Sequence, residues 1–112
     1  MAIVTNSTLT AINKGILPRN ASVVIIRTAW NTAIVDALEK GAKKILEQHS
    51  INSITSYTVP GAIELPFAVK YCWEKSQNIA ERPNAFIVLG CVIRGGTPHF
   101  DYVCKAITDG VV

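Results

Sequence analysis

Disulfide chemistry, membrane-length apolar runs and one-sided charge are all missing from this chain of 112 residues. Its three cysteines, Cys72, Cys91 and Cys104, form no CxxC pair, and an odd number argues against a secreted disulfide scaffold. The longest apolar run, residues 85–93, is about half of what a membrane span requires. Eleven Lys and Arg against eight Asp and Glu leave a formal net charge of +3, scattered rather than clustered, which argues against a nucleic-acid or membrane surface. Residues 1–15 lack the charged-then-apolar layout of a signal peptide. His49 and His99 stand far apart without acidic companions at ligand spacing, so no metal site is expected. Repeats and low-complexity stretches are absent too. A soluble, cytoplasmic, metal-free domain is the expectation.

What is present is a core. Hydrophobic residues make up 49% of the chain and charged residues 17%, so one domain can pack and disorder is not expected. Residues 1–20 are the least patterned and end in Pro18-Arg19-Asn20, which reads as an N-terminal arm. Residues 21–112 then alternate short β-branched runs with longer helical segments. Val23-Val24-Ile25-Ile26 is a continuous apolar run, as in a strand covered on both faces. A helix follows with Ile34, Val35, Leu38, Ala42, Ile45 and Leu46 on one stripe, and Thr32 or Asn31 can cap its start. Residues 51–59 supply a more polar strand, and Leu65, Ala68, Val69, Cys72 and Ile79 recur at helical spacing. After a break at Arg82-Pro83-Asn84, residues 85–89 read as the most buried of the three strands. Phe100, Val103, Cys104, Ile107 and Val111 mark a third helix.

Strand and helix in strict alternation imply right-handed crossovers and a parallel sheet. Ligands of such sheets bind at the carboxyl ends of the strands, which directs attention to residues 27–31, 60–64 and 91–99. Trp30 can stack on a flat heterocycle, or it can plug the end of the core. Pro66 fits only the first helical turn, leaving the backbone of residues 61–64 free to pair with the edge of a pyrimidine-like ring. Glu64 can accept hydroxyl protons there, or simply be a favourable charge near a helix start. Gly95-Gly96-Thr97-Pro98 turns tightly into the third helix, with Thr97 as its expected cap and Pro98 as its first residue. The free N–H groups of such a start suit a phosphate, although the GxxxxGK[ST] spacing is absent. His99 follows directly, at a positive helix end that favours an imidazole able to take a proton. His49 closes the first helix and has no expected catalytic role, and Cys91 reads as lining rather than nucleophile.

Three segments then resemble the signature of the lumazine synthase family: Trp30-Asn31, the stretch Val59-Pro60-Gly61-Ala62-Ile63-Glu64-Leu65-Pro66, and the stretch Gly90-Cys91-Val92-Ile93-Arg94-Gly95-Gly96-Thr97-Pro98-His99-Phe100-Asp101-Tyr102-Val103. The last segment is long enough to be specific. The resemblance implies a three-layer αβα fold of flavodoxin-like type. It also implies the penultimate step of riboflavin biosynthesis, in which 5-amino-6-(D-ribitylamino)uracil condenses with 3,4-dihydroxy-2-butanone 4-phosphate to give 6,7-dimethyl-8-ribityllumazine. By the same resemblance Trp30 stacks on the pyrimidine, Ala62, Ile63 and Glu64 bind it and its ribityl chain, and Cys91, Val92 and Ile93 line the ring pocket. Gly96 and Thr97 hold the phosphate and His99 transfers protons. No cofactor is implied, and the partners are the two small-molecule substrates and further copies of the chain, as pentamers or larger shells, with no nucleic acid and no membrane.

Family members run about a third longer, so the resemblance implies a chain truncated at its C-terminus. The absent portion includes an arginine that grips the phosphate and an aromatic lent by a neighbouring subunit. Three strands alone leave an open edge beside residues 85–89. Two other functions use the same pocket: a flavin- or pterin-binding module without catalysis, and a shell subunit whose site is silent.

Overall fold

The computed structural model describes Pro18 and residues 20–76, 78 and 82–112. The expected arm, apart from Pro18 and Asn20, lies outside the described residues, and so does Ile79. Seven elements follow in chain order: β1 (Ser22–Thr28), α1 (Thr32–Gln48), β2 (Ser53–Val59), a short 3-10 turn (Ala62–Glu64), α2 (Leu65–Lys75), β3 (Ala85–Leu89) and α3 (His99–Val111).

The strands form a parallel sheet in the order β2-β1-β3. Ser22 pairs with Ser53 and Thr28 with Val59 on one side of β1, while Val23 pairs with Ala85 and Arg27 with Leu89 on the other. The first crossover runs from β1 outward to β2, and the second returns past β1 to β3. Right-handed connections in opposite directions place their helices on opposite faces. The packing agrees. Val23, Ala21 and Ile51 gather Leu46 of α1, whereas Val24, Ile26 and Leu65 gather Ala68 and Val69 of α2 and Ile107 of α3. This is the expected α/β architecture, three layers deep.

Burial corrects several expectations. β1 is the buried strand, with Val23, Ile25 and Ile26 all at 1% exposure or less, while every residue of β3 is half-buried. Composition made β3 look like the interior strand, but among the described residues it has a partner on one side only. Of the apolar stripe on α1, Val35 is buried and Ala42 and Leu46 are half-buried, but Ile34, Leu38 and Ile45 stay near half exposure. The stripe is wider than the sheet beneath it. Neither Thr32 nor Asn31 caps α1 with its side chain. The Thr32 hydroxyl donates back to the Ala29 carbonyl at 2.7 Å instead. Helix α2 ends at Lys75, and α3 begins at His99 with Pro98 in the cap position and no side-chain cap, one residue later than Thr97 and Pro98 suggest.

Helices α2 and α3 share a face and cross closely. A Cβ placed on Gly110 would lie 2.8 Å from Cγ and 2.9 Å from Cβ of Pro66, so the crossing requires a residue without a side chain there. The contact braces the start of α2.

Candidate functional site

Parallel pairing puts the ends of β1, β2 and β3 at one edge, and all three loops singled out by sequence emerge there. The loop after β1 lies between the other two because β1 is the central strand. Its ties follow from that position. The Ala29 N–H donates to the Val59 carbonyl at 2.9 Å, fastening it to the second loop. The Asn31 amide donates to the Cys91 carbonyl at 2.9 Å, fastening it to the third.

Trp30 is 72% exposed, so it does not plug the core. A Cβ on Gly61 would stand 3.7 Å from Trp30 Cδ1 and 3.1 Å from Glu64 Oε2, so the indole lies against the second loop at Gly61. The backbone of residues 61–64 is less free than Pro66 alone suggests. Ala62, Ile63 and Glu64 form the 3-10 turn, in which the Glu64 N–H donates to the Gly61 carbonyl at 3.2 Å. The Glu64 carboxylate accepts the Gly61 N–H at 2.9 Å through Oε2, leaving Oε1 without a hydrogen bond among the described residues. One oxygen shapes the turn and the other is unengaged among the described residues. Ile63 is 54% exposed and Ala62 half-buried.

In the third loop Cys91 and Val92 are half-buried and Ile93 is 67% exposed. Gly90 packs where a Cβ would meet Leu65 Cδ1 at 3.2 Å, Thr28 Cγ2 at 3.6 Å and Ala62 Cβ at 3.8 Å, so the third loop leaves the sheet pressed against the first and second. Beneath it is an open cavity of about 260 Å³, bounded by Ala62, Leu65, Val88, Val92, Cys104 and Ile107. That is slightly under the roughly 300–1,000 Å³ of usual small-molecule pockets. The described residues therefore form an open cleft rather than an enclosure.

Gly95 and Gly96 have open space around them, with nothing within 4 Å of an added Cβ, so the turn can admit a ligand against its backbone. Thr97 and His99 are exposed at the start of α3, and neither side chain has a hydrogen bond or ion pair among the described residues. Helix α3 packs against the 3-10 turn. Cys104, Ile107 and Thr108 line the cavity with Ala62, and Gly110 meets Pro66, so these contacts set the middle and far end of the helix beside Ala62 rather than its start at His99. The cavity is lined by neither Trp30 nor the Gly95–His99 corner. Three or more His, Cys, Asp or Glu side chains grouped to hold a metal ion do not occur among the described residues.

Two side chains at this edge carry little signal in the linear sequence. Asn31 resembles a helix cap, and its long-range tie depends on a left-handed backbone (φ 56°, ψ 49°) that only the fold reveals. Arg94 bridges the glycine turn: its guanidinium lies 4.3 Å from the centre of the Phe100 ring and donates to Asp101 at 3.1 Å. Burial pushes the Cys72 thiol above its ordinary range, with Lys75 opposing, which suits an inert core position on α2.

An open parallel sheet with its loops gathered at the carboxyl ends of the strands defines the class of open parallel α/β proteins, in which ligands bind at that edge. Comparison with known proteins narrows the class. The family model described as 6,7-dimethyl-8-ribityllumazine synthase matches residues 20–112, and this chain belongs to that family. It is 42% identical over 92 residues to the 6,7-dimethyl-8-ribityllumazine synthase of Mycolicibacterium gilvum (strain PYR-GCK), covering 82% of this chain and 54% of that one. The protein of the same name from Mycobacterium leprae (strain Br4923) is 42% identical over 87 residues, covering 78% and 50%. That from Bacteroides fragilis (strain YCH46) is 44% identical over 89 residues, covering 78% and 59%. The chain thus spans about half the length of the curated relatives it matches. No helix among the described residues is long and apolar enough to cross a membrane.

Proposed function

We propose that this chain carries the ring-binding and phosphate-binding edge of a 6,7-dimethyl-8-ribityllumazine synthase, a transferase of riboflavin biosynthesis working in the cytoplasm. The supporting observation is the meeting of three loops at one sheet edge, with an exposed indole against Gly61 at one end and an open glycine turn leading into α3 at the other. A flat ring and a phosphate are the two chemistries such ends suit.

In this reading Trp30 stacks on 5-amino-6-(D-ribitylamino)uracil, while Ala62 and Ile63 present backbone groups to the ring. Glu64 accepts ribityl hydroxyl protons through its unengaged oxygen, and Cys91, Val92 and Ile93 form the opposite wall. Gly96 and Thr97 receive the phosphate of 3,4-dihydroxy-2-butanone 4-phosphate through backbone N–H groups. The 5-amino group attacks the ketone carbonyl and water leaves to give a Schiff base, phosphate departs by elimination, and the ribityl-bearing nitrogen then attacks the remaining carbonyl and closes the ring with loss of a second water. His99 takes and returns the protons of these steps. Much of the acceleration comes from holding two reactants in register, which needs no metal or organic cofactor. The open cleft is completed by a neighbouring copy in a homo-oligomer, pentamer or shell, and the residues 1–20 arm joins that assembly.

Mixing the protein with both substrates gives the lumazine chromophore faster than the spontaneous reaction. His99→Ala slows that turnover by about 10²–10⁴-fold. Equal rates with and without protein would end the proposal, and an unchanged His99→Ala rate would make His99 a structural residue.

A further inference from the structure

We infer that Asn31 is a positioning residue which sets the gap between the Trp30 face and the Cys91–Val92–Ile93 wall, an inference that rests on reading those loops as the ring-binding site. The backbone makes the first point. Asn31 and Ser50 are the non-glycine residues with positive φ among the described residues, and Asn31 adopts the left-handed conformation at φ 56°. Most side chains resist that conformation, whereas asparagine tolerates it.

The consequence is a change of job. The Asn31 carbonyl starts α1 by accepting the Ile34 and Val35 N–H groups at 3.1 Å each. Its side chain, turned away from the helix start, makes no cap bond. Instead the amide reaches the Cys91 carbonyl at 2.9 Å across sixty positions of sequence, in a half-buried setting. That carbonyl needs a donor, because the β1–β3 pairing ends at Arg27 with Leu89, two residues earlier. Among the described residues this is the one hydrogen bond between the first and third loops. The first loop is already held to the second through Ala29 and Val59. Asn31 therefore locks the remaining degree of freedom, the distance from the indole to the wall opposite. A ring sandwiched between two surfaces is sensitive to shifts near 1 Å in that distance.

Two substitutions separate the tie from the backbone. Asn31→Gly keeps the left-handed conformation and removes the amide. Asn31→Asp keeps size and left-handed tolerance but replaces the donor with an acceptor. Both are expected to weaken binding of 6,7-dimethyl-8-ribityllumazine, read by its fluorescence polarisation, by about three- to tenfold. The thermal midpoint of Asn31→Gly should fall by no more than about 8 °C, while the backbone amide resonances of Val92 and Ile93, next to the carbonyl that loses its donor, move or broaden in NMR spectra. Unchanged resonances in both variants overturn the inference whatever the ring does. Altered resonances with unchanged ring affinity also overturn it, because the tie would then be structural only. Should the parent protein fail to bind the ring while the resonances still change in the variants, the loop tie stands and the ring-binding reading of the site falls.

Discussion

The carboxyl of Glu39, on the sheet-facing side of α1, feels two opposing influences. Burial pushes it up, while hydrogen bonds from Ser56, Arg27 and Lys43 pull it down, and together the latter prevail. Arg27 Nη1 stands 3.0 Å from Glu39 Oε1 and also pairs with Asp36, and these two acids hold the guanidinium above its ordinary value. A carboxyl depressed in the folded state releases its proton more readily there than in the unfolded chain. Its stabilisation is therefore complete above the unfolded value, near about 4.3, and is lost as pH falls through the lower folded value. Thermal midpoints measured from pH 6 to pH 3 should drop less steeply in Glu39→Gln than in the parent, which also starts from a higher midpoint at pH 6. Parallel curves would show that the pairing adds nothing. The cluster was invisible in sequence, because Arg27, Glu39 and Ser56 lie on three different elements. Trp30, Glu64 and His99 could be singled out one at a time from their neighbours, since each sits beside a proline or glycine punctuation or a strand end.

Helices and strands were the legible part of this chain, because hydrophobic period and turn residues are local signals. The Val23-Val24-Ile25-Ile26 run became the central strand, and Pro66 and Pro98 marked the starts of α2 and α3 within one residue. Depth of burial was less legible. Residues 85–89 have the composition of an interior strand, yet β3 lies at the edge of the described sheet, since neighbours rather than composition decide burial. Crossing geometry was not legible at all. Gly110 lowers the intrinsic helicity of α3, and its place is explained only by Pro66, 2.8 Å from where a Cβ would be. Gly110→Ala should gain helix propensity locally and still lower the thermal midpoint, because a proline ring cannot yield as a flexible side chain would. A raised midpoint would mean that α2 and α3 separate without cost.

Considered as one body, the described residues leave much apolar surface uncovered at and beside the loop edge of the sheet. Trp30 and Phe67 are each 72% exposed, and Ile63, Phe67 and Tyr71 follow one another at four-residue spacing with the last two rings stacked at 6.1 Å. Patches of this kind mark interaction surfaces in soluble proteins. Sedimentation velocity at micromolar concentration should find species larger than a single 112-residue chain, and Phe67→Glu should shift the distribution towards it. A monomer under those conditions would remove the assembly from the proposed function and leave the cleft open.

Order of elements, parallel pairing, the three loops and the family all follow from the linear chain, because each rests on patterns a few residues long or on a motif that stays contiguous. Distances between loops do not. That Gly61 faces Trp30, that Asn31 reaches Cys91 rather than capping its own helix, and that Arg94 folds back over Phe100 are matters of packing between segments remote in sequence. No local pattern encodes them, since the same residues could satisfy their hydrogen bonds in several ways until the sheet brings the three strand ends together.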